Sequence, residues 1–545
     1  MAKTKFIFVT GGVMSGIGKG VATSSIGRIL QSKGYSVTAI KIDPYINVDA
    51  GTMTPTEHGE VFVTDDGLET DQDLGNYERF LDTNILSGNY MTTGRVYLSV
   101  INRERNLEYG GKNVEVVPDI PLEVILRIKK VAKTTKADFV MIEIGGTVGE
   151  YQNVLFLEAA RMLRMEKPQD VIVFLVSYLP VPNKIGEMKT KPTQYAARSL
   201  NSVGIQPDFI LCRSEEPIDD VRKSKIALFC SVPKDHVIAS PDVDFIYEIP
   251  VNYDNEKLAE KILSSFKLKK KKNDLTKWKS EVERIRKIDR EIRIGVVGKY
   301  FNSGSFVLAD SYISVIESVK QAAWSNGFKP KIEWISSEEF EQDPKSINRL
   351  KEMDGVIIPG GFGSRGIEGK IKAVEFLRKN KIPLLGICYG MQIICIEFAR
   401  NVCGLKGAHT TEIDKEAKYP VIDIMPEQKK NLREKNYGAT MRLGAYPAEI
   451  KTGTIAYEAY KAKSISERHR HRWEVNPEYI EILEKNGLVF SAKSPNGKLM
   501  EIVEIKQKDH PFLVGTQFHP EFGTRFMKPQ PIFNAFMKAV VKGKK

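Results

Sequence analysis

A chain of 545 residues is too long for one hydrophobic core, and two to four domains are expected. Its 42% hydrophobic and 28% charged residues are ordinary for a soluble protein, and no apolar run approaches the ~20 residues of a membrane span. The formal charge of +12 comes from 81 basic and 69 acidic residues that are mostly interspersed; with no zinc-finger or RNP-like motif, it suits polyanionic small substrates such as nucleotides better than nucleic acid. Five cysteines without a C-x-x-C pair argue against a disulfide framework or a zinc site. The apolar stretch after Lys5 is too short for a signal peptide, so a cytoplasmic protein is expected.

The strand Phe6-Ile-Phe-Val-Thr10 runs into Gly11-Gly-Val-Met-Ser-Gly-Ile-Gly-Lys-Gly20 and then a helical pattern through Leu30. A glycine-rich strand-to-helix turn lets backbone N–H groups close on phosphate oxygens, with Lys19 as a point charge for the β- and γ-phosphates; the same residues also read as a mere tight turn. Val13 stands where the first glycine of a Walker A loop would fall, and Gly20 replaces the Ser or Thr that would help hold Mg²⁺. Carboxylates elsewhere must then hold the metal. Two stretches supply them: Glu69-Thr-Asp71-Gln-Asp73, read as an acidic loop, and Phe139-Val-Met-Ile-Glu143, an apolar strand ending in an acid before Gly145-Gly146. Each alone reads equally as a solvated or capping acid; beside a phosphate loop they favour a metal–nucleotide site.

Lys189-Thr-Lys-Pro-Thr-Gln194 joins two cations to polar groups, and Lys225 opens an apolar segment ending at Cys230; both read equally as exposed basic stretches. Strands near Val37–Ile42, Phe139–Ile144, Val171–Val176 and Phe209–Cys212 alternate with helical patterns. That spacing predicts a doubly wound parallel sheet with ligands at the carboxyl ends of its strands. After the basic run Lys267 and Lys269–Lys272, residues Leu275, Trp278, Val282, Ile285 and Ile288 recur at helical spacing, and Ile292–Gly298 restarts the α/β pattern. The expected organisation is 1–266, a linker with a short helix at 267–291, and 292–545.

In the second half, Gly355-Val-Ile-Ile-Pro-Gly-Gly-Phe-Gly363 is a strand ending in a glycine-rich loop able to offer N–H groups to an oxyanion. An apolar run from Ile382 then leads to Gly386-Ile-Cys-Tyr-Gly-Met-Gln392 and a helical stretch through Arg400. Cys388 at a sharp, glycine-framed strand-to-helix turn is either a buried structural thiol or a nucleophile pushed out of the sheet, with a helix N-terminus behind it to favour negative charge. Much later the strand Phe512–Gln517 ends in His519-Pro-Glu521. A cysteine, an imidazole to shuttle its proton and a carboxylate to orient the imidazole form a hydrolytic triad, so Cys388, His519 and Glu521 are the expected catalytic set. The other thiols, Cys212, Cys230, Cys395 and Cys403, are expected to be buried.

Gly386–Gln392 with His519–Glu521 resembles the class I, triad-type glutamine amidotransferases. Lys41–Asp49, His58–Val63, Glu69–Asp71, Glu143–Gly149, Lys189–Gln194, Met441–Gly444 and Arg468–Arg472 resemble the CTP synthase family, and the resemblance runs from Phe6 to Phe522. It implies an α/β protein of two doubly wound domains, an N-terminal phosphate-loop parallel-sheet domain and a C-terminal class I glutaminase domain. The implied activity is that of a ligase of pyrimidine nucleotide synthesis: UTP, ATP and glutamine yield CTP, ADP, phosphate and glutamate, through a uracil phosphorylated at O4 and a glutamyl thioester. Carried over, Gly16, Ile17, Gly18, Lys19, Gly20, Val21, Asp73 and Val243 bind ATP, and Asp73 and Glu143 hold Mg²⁺, with no organic cofactor. Ser15, Lys189, Thr190, Lys191, Pro192, Thr193, Gln194 and Lys225 bind UTP and share its triphosphate region with CTP, the feedback inhibitor. Glu150, Tyr151 and Gln152 match positions used by CTP alone, and Lys41 contacts phosphates too. Gly361, Tyr389, Gly390, Met391, Gln392, Glu412 and Arg472 match glutamine-binding positions. The resemblance also implies GTP as an activator, in whose coupling Arg365 and Glu368 are candidates, a homotetramer able to form filaments, and no nucleic-acid or membrane partner. Ammonia has to reach the amination site neutral, by a sequestered path.

Two positions depart from the family pattern: Tyr389 stands where Leu is commoner, and Ala439 follows Gly438 where Gly-Gly is usual. The nearest alternative is a cobyric-acid-type amide synthase, against which Glu521 and the uridine-site blocks count. Further off stands a phosphate-loop ATPase with a degenerate glutaminase, against which the intact triad counts.

Overall fold

The computed structural model describes residues 4–182, 186–272, 274–298, 302–303, 306–307, 309–361, 363, 365–434 and 437–544. The chain forms two compact units, one of Met1–Ala50 with Asp73–Arg284, the other of Gly51–Gln72 with Ile285–Lys545.

Among the described residues the first unit is built on a seven-stranded sheet in the order Tyr90–Thr92, Val37–Asp43, Phe139–Thr147, Lys5–Gly11, Val171–Tyr178, Phe209–Ser214, Val237–Pro241. Every neighbouring pair is parallel. The strands read as continuous apolar runs because helices cover both faces: Phe6 to Val9 and Phe139 to Ile142 are all buried. The chain leaves Lys5–Gly11 for the helix Lys19–Ser32, and the strands beside it, Phe139–Thr147 and Val171–Tyr178, lie on opposite sides. This is the switch point at which a doubly wound sheet opens a crevice for ligands. Trp278, on the helix Thr276–Arg286, is buried and donates from Nε1 to the Tyr247 carbonyl at 2.8 Å, and the Tyr247 ring stacks on Phe80 at 4.8 Å.

In the second unit the sheet runs Lys329–Ser336, Glu291–Gly298, Gly355–Ile358, Leu384–Ile387, Leu513–Thr516, Met500–Ile505, Leu488–Lys493, Arg442–Ile450, Ser464–His471. Pairing is parallel through Leu513–Thr516 and antiparallel beyond it. The doubly wound core thus carries an antiparallel extension, whose last strand bears Arg468 and Arg470.

The stretch 51–72, which in sequence lies within the expected 1–266, groups by its contacts with the second unit. It forms the hairpin Val61–Val63 with Glu69–Asp71, and its acids find their partners there. Glu60 accepts from the Ser314 hydroxyl at 2.5 Å, Asp65 pairs with Arg468, and Glu69 with Arg470 at 2.7 Å. The Phe62 ring meets Phe522 edge-on at 4.9 Å. Sequence adjacency hid this, since such long-range ion pairs leave no local pattern. Cys403 departs in a smaller way: it is half-buried, whereas Cys212, Cys230 and Cys395 are buried as expected.

Candidate functional site

Two neighbouring parallel strands, Leu384–Ile387 and Leu513–Thr516, end side by side. Beyond the first, the Cys388 N–H donates to the Thr516 carbonyl at 2.6 Å, and the helix Tyr389–Asn401 starts at the next residue. Cys388 has φ 51° and ψ −101°, a strained backbone held by its surroundings as at other nucleophile turns. The framing glycines are sterically required: a Cβ on Gly390 would lie 2.2 Å from the Ile358 carbonyl oxygen, and one on Gly386 2.7 Å from the Gly390 carbonyl carbon.

Past the second strand the chain bends at Gln517 and Phe518 before reaching His519. The His519 N–H donates to the Arg468 carbonyl at 2.7 Å, and its Nδ1 meets Glu521 Oε1 at 2.7 Å. Nε2 is buried, and the Cys388 sulfur is near enough to act on the imidazole's charge. Burial works against the imidazolium, but the Glu521 carboxylate and the Cys388 thiolate outweigh it and hold His519 up to about 10. The Phe522 ring stacks on His519 at 5.2 Å, and Ser318 Oγ donates to the Glu521 carbonyl at 3.2 Å, fixing the ring and the turn.

Gly360, Gly361, Cys388, Arg470, His519 and Glu521 line one pocket. A Cβ on Gly360 would come within 3.0 Å of His519 Cε1 and 3.6 Å of Cys388 Cβ, so glycine keeps open the space where an amide would meet the sulfur. Gln392 is buried and donates to the Trp473 carbonyl at 2.9 Å and to Gln517 Oε1 at 3.2 Å, while its own Oε1 has no protein partner. Glu412 and Arg472 stand off from the sulfur pocket. Glu412 accepts from the Gly363 N–H at 3.2 Å, and Arg472 donates to Gln428 Oε1 at 2.5 Å and the Tyr437 carbonyl at 2.6 Å. Phe362, in the expected oxyanion loop, lies outside the described residues. Tyr389 and Met391 are buried in the core, with Lys370 Nζ 5.5 Å from the Tyr389 ring centre. Ala439 holds φ 52°, a left-handed conformation that explains the glycine usual there. Arg365 pairs with Glu338 at 2.5 Å and Glu368 with Arg400 at 2.8 Å.

In the first unit, Gly16 and Gly18 adopt left-handed φ of 71° and 81° in the loop before the helix Lys19–Ser32, and Ser15 and Gly16 are exposed. Lys19 reaches from the first helical residue to the Gly146 carbonyl at 2.9 Å. Lys41 Nζ lies 3.1 Å from Glu143 and 3.6 Å from Asp43, and is hydrogen-bonded to Asp73. These charges are brought together from four elements. Burial and then the Asp73 charge push Glu143 up to about 7; Asp73, though burial opposes its ionisation, is drawn down to about 2 by Lys41; and burial lowers Lys19. Tyr77 donates to Glu143.

The departure at Gly20 now has a steric reason. A Cβ there would sit 2.0 Å from Asp73 Oδ1, so the carboxylate occupies the place of the missing Ser or Thr side chain. The buried Glu143 carboxylate, held above the ordinary range by burial and then by its neighbour, and the half-buried Asp73 carboxylate form a donor set that fits a divalent cation. Of the three acids expected to act together, only Asp73 meets Glu143. Glu69 is committed to Arg470, and Asp71 lies 3.6 Å from His58.

The remaining expected nucleotide residues are spread along strand ends of the same unit. Lys189 meets Glu187 at 2.6 Å, and Arg222 meets it at 3.7 Å; Lys225 is exposed on the helix Asp220–Cys230. Lys191 and Pro192 open the helix Lys191–Ser202, with Thr190 just before it. Thr193 and Gln194 are buried, Thr193 sharing a hydrogen bond of 2.8 Å with Ser177 and Gln194 donating to Thr190 at 3.2 Å. Glu150 lies against Gly146, Tyr151 and Gln152 are exposed on the next turn, and Val21 and Val243 are half-buried. Arg213 escaped the sequence reading. It donates to the Ile17 carbonyl at 3.2 Å and pairs with Asp242 at 2.5 Å, bracing the loop; an isolated arginine at a strand end carries no motif.

Comparisons with known proteins match both halves of the chain. The family model "CTP synthase N-terminus" matches residues 5–268 and "Glutamine amidotransferase class-I" matches 307–539. A CTP synthase of Pyrococcus abyssi is 50% identical over 98% of both chains, and one of Methanocaldococcus jannaschii is 48% identical, also over 98% of both. A structure titled Trypanosoma brucei CTPS glutaminase domain with bound acivicin is 36% identical, covers 46% of this chain and 94% of its own, and has a TM-score of 0.42. The family models and the full-length relatives define a ligase that forms a carbon–nitrogen bond with glutamine as amido donor. Within that class the chain belongs to the CTP synthase family.

Gly20→Ser, which restores the Walker-type residue, is expected to displace Asp73 and lower CTP formation from ammonium about 100-fold, with basal glutaminase activity unchanged; steady-state assays of both activities check this. Because His519 is held up to about 10, the stabilisation of its imidazolium by Glu521 is fully present below the ordinary histidine value and is lost as pH rises through about 10. In Glu521→Gln burial is left unopposed by that carboxylate. The alkaline limb of the glutaminase pH profile should shift to lower pH and the maximal rate fall at least about tenfold.

Proposed function

We propose that the second unit generates ammonia and the first consumes it to make CTP from UTP. The Cys388 thiolate attacks the amide carbon of glutamine; the tetrahedral oxyanion is held by N–H groups of Gly361 and Tyr389; and His519, oriented by Glu521, protonates the departing nitrogen. The resulting glutamyl thioester is hydrolysed by water, for which His519 serves as base, releasing glutamate. Gln392, Gly390, Met391, Glu412 and Arg472 bind and orient the glutamine. The unpartnered Oε1 of Gln392 supports a substrate contact there.

In the first unit, the loop Gly16–Val21, Lys19 and Val243 bind ATP, and Asp73 and Glu143 hold Mg²⁺, whose charge neutralises the transferred phosphoryl group. Ser15, Lys189–Gln194 and Lys225 bind UTP and overlap with CTP as inhibitor, to which Glu150, Tyr151 and Gln152 add contacts. ATP phosphorylates the uracil O4, so that ammonia attacks C4 and phosphate leaves. This needs positioning and charge neutralisation rather than a covalent enzyme intermediate, which suits a site of lysines and carboxylates. GTP as activator, with Arg365 and Glu368 in its coupling, and a homotetramer able to form filaments complete the reading.

The observation that carries it is the ordered contact His519–Glu521 beside Cys388 in a chain that also gathers Lys19, Lys41, Asp73 and Glu143. Cys388→Ala should abolish CTP formation from glutamine yet leave formation from added ammonium largely intact, and Lys19→Ala should remove CTP formation with either nitrogen source while basal glutaminase persists. Chromatography of UTP, ATP, Mg²⁺ and glutamine incubated with each variant reads both. Loss of both activities in Cys388→Ala would overturn the two-site division.

A further inference from the structure

Gln517 lies two residues before His519, just past the strand Leu513–Thr516, and is fully buried. Its side chain is built into a chain of hydrogen bonds that ends on the nucleophile. Gln392 donates to the Trp473 carbonyl at 2.9 Å and a carbonyl can only accept, so the Gln392 atom at that point is its NH₂ group. The same NH₂ meets Gln517 at 3.2 Å, which makes the facing Gln517 atom its oxygen. The other end of the Gln517 amide must then be its NH₂, and this lies 3.7 Å from Cys388 Sγ, within reach of a hydrogen bond to sulfur. Backbone bonds fix the rest: the Gln517 N–H donates to the Glu501 carbonyl at 2.9 Å, and the Cys388 N–H to the Thr516 carbonyl at 2.6 Å.

The surroundings of the sulfur make a donor there consequential. The Arg470 carbonyl lies 3.8 Å from Sγ and can accept from a thiol but only repel a thiolate. His519 faces the sulfur from another side. With one carbonyl against the anion, a second fixed N–H donor beside the imidazolium shifts the balance toward the thiolate.

We propose that Gln517 is a positioning residue of the glutaminase reaction. Its amide, locked in one orientation by Gln392, donates to the Cys388 thiolate, stabilises it before attack and again when the thioester carbon–sulfur bond breaks, and confines the sulfur to the rotamer that faces the substrate. Gln392 thereby has a second task, fixing the direction of the Gln517 amide. This rests on Cys388 being the nucleophile.

Gln517→Met keeps the length and removes the donor; Gln517→Glu keeps the shape and sets a carboxylate against the sulfur; Gln517→His retains an N–H. Expected for Met is a glutamine-dependent kcat about 10- to 100-fold lower with KM for glutamine within about threefold, and a larger loss for Glu. Alkylation of Cys388 by iodoacetamide should slow about tenfold at neutral pH, its pH profile moving to higher pH, and His should recover part of both losses. Cys388→Ala serves as the control for site-specific labelling, and CTP formation from ammonium reports an intact fold. An unchanged alkylation rate and profile in Gln517→Met would overturn the proposal, as would a rise in KM without loss of kcat, a His variant no better than Met, or ammonium-dependent activity falling in parallel in all three variants. Glutamine-dependent activity surviving in Cys388→Ala would instead overturn the nucleophile assignment itself.

Discussion

The hydrogen bond from the Cys388 N–H to the Thr516 carbonyl ties together the ends of the two central parallel strands, and the glutaminase chemistry depends on it. Cys388 alone has a backbone conformation that an isolated chain would abandon. Anchored on the strand that leads to His519, it is held where helix N-terminus, imidazole and amide donors converge. The glycines contribute by absence. Gly386 and Gly390 let the turn close against Ile358, and Gly360 leaves the approach to the sulfur open. The reacting groups are thus placed by main-chain geometry first, and side-chain hydrogen bonds refine a position already set.

The first unit solves the opposite electrostatic problem. There the protein concentrates negative charge, the carboxylates of Glu143, Asp73 and Asp43, and holds it in place with Lys41. Two neighbouring acids do not ionise equally, so the burden falls unevenly, with Asp73 low and Glu143 high. An arrangement of this kind is satisfied by a bound divalent cation, and Lys41 keeps the acids from repelling one another apart in its absence.

Much of this was legible in the residues, and the reasons for what was not are physical. Cys388 between glycines, and His519-Pro-Glu521 after an apolar strand, are visible because the chemistry demands them within a few residues of a strand end. Lys19 is visible for the same reason. The role of Gly20 was not, because the atom that fills its missing side chain comes from Asp73, on a different element, and only the folded chain shows the 2.0 Å approach. Glu69, read as part of an acidic loop, lies on a strand and faces Arg470. Charge spacing cannot tell a metal ligand from half of an ion pair. Gln517 sat in plain view between the strand Leu513–Thr516 and His519, but its partner Gln392 carried the only motif, and only the folded chain brings its amide to the sulfur.

The stretch 51–72 gives the sharpest case of side chain and main chain serving different ends. Arg468 and Arg470 alternate on the strand Ser464–His471, so both guanidinium groups turn the same way and meet Asp65 and Glu69. Their carbonyls do other work. That of Arg468 accepts from the His519 N–H at 2.7 Å, and that of Arg470 lies 3.8 Å from the Cys388 sulfur. Two carboxylates of this stretch therefore grip the side chains of the two residues whose backbone frames the triad. The stretch is followed directly by Asp73, the carboxylate that stands against Gly20 in the phosphate loop. Replacing Asp65 or Glu69 would remove the ion-pair partner of Arg468 or Arg470 and loosen the backbone that aligns imidazole and thiol, so the acids that look like spare metal ligands are constrained by the glutaminase geometry instead.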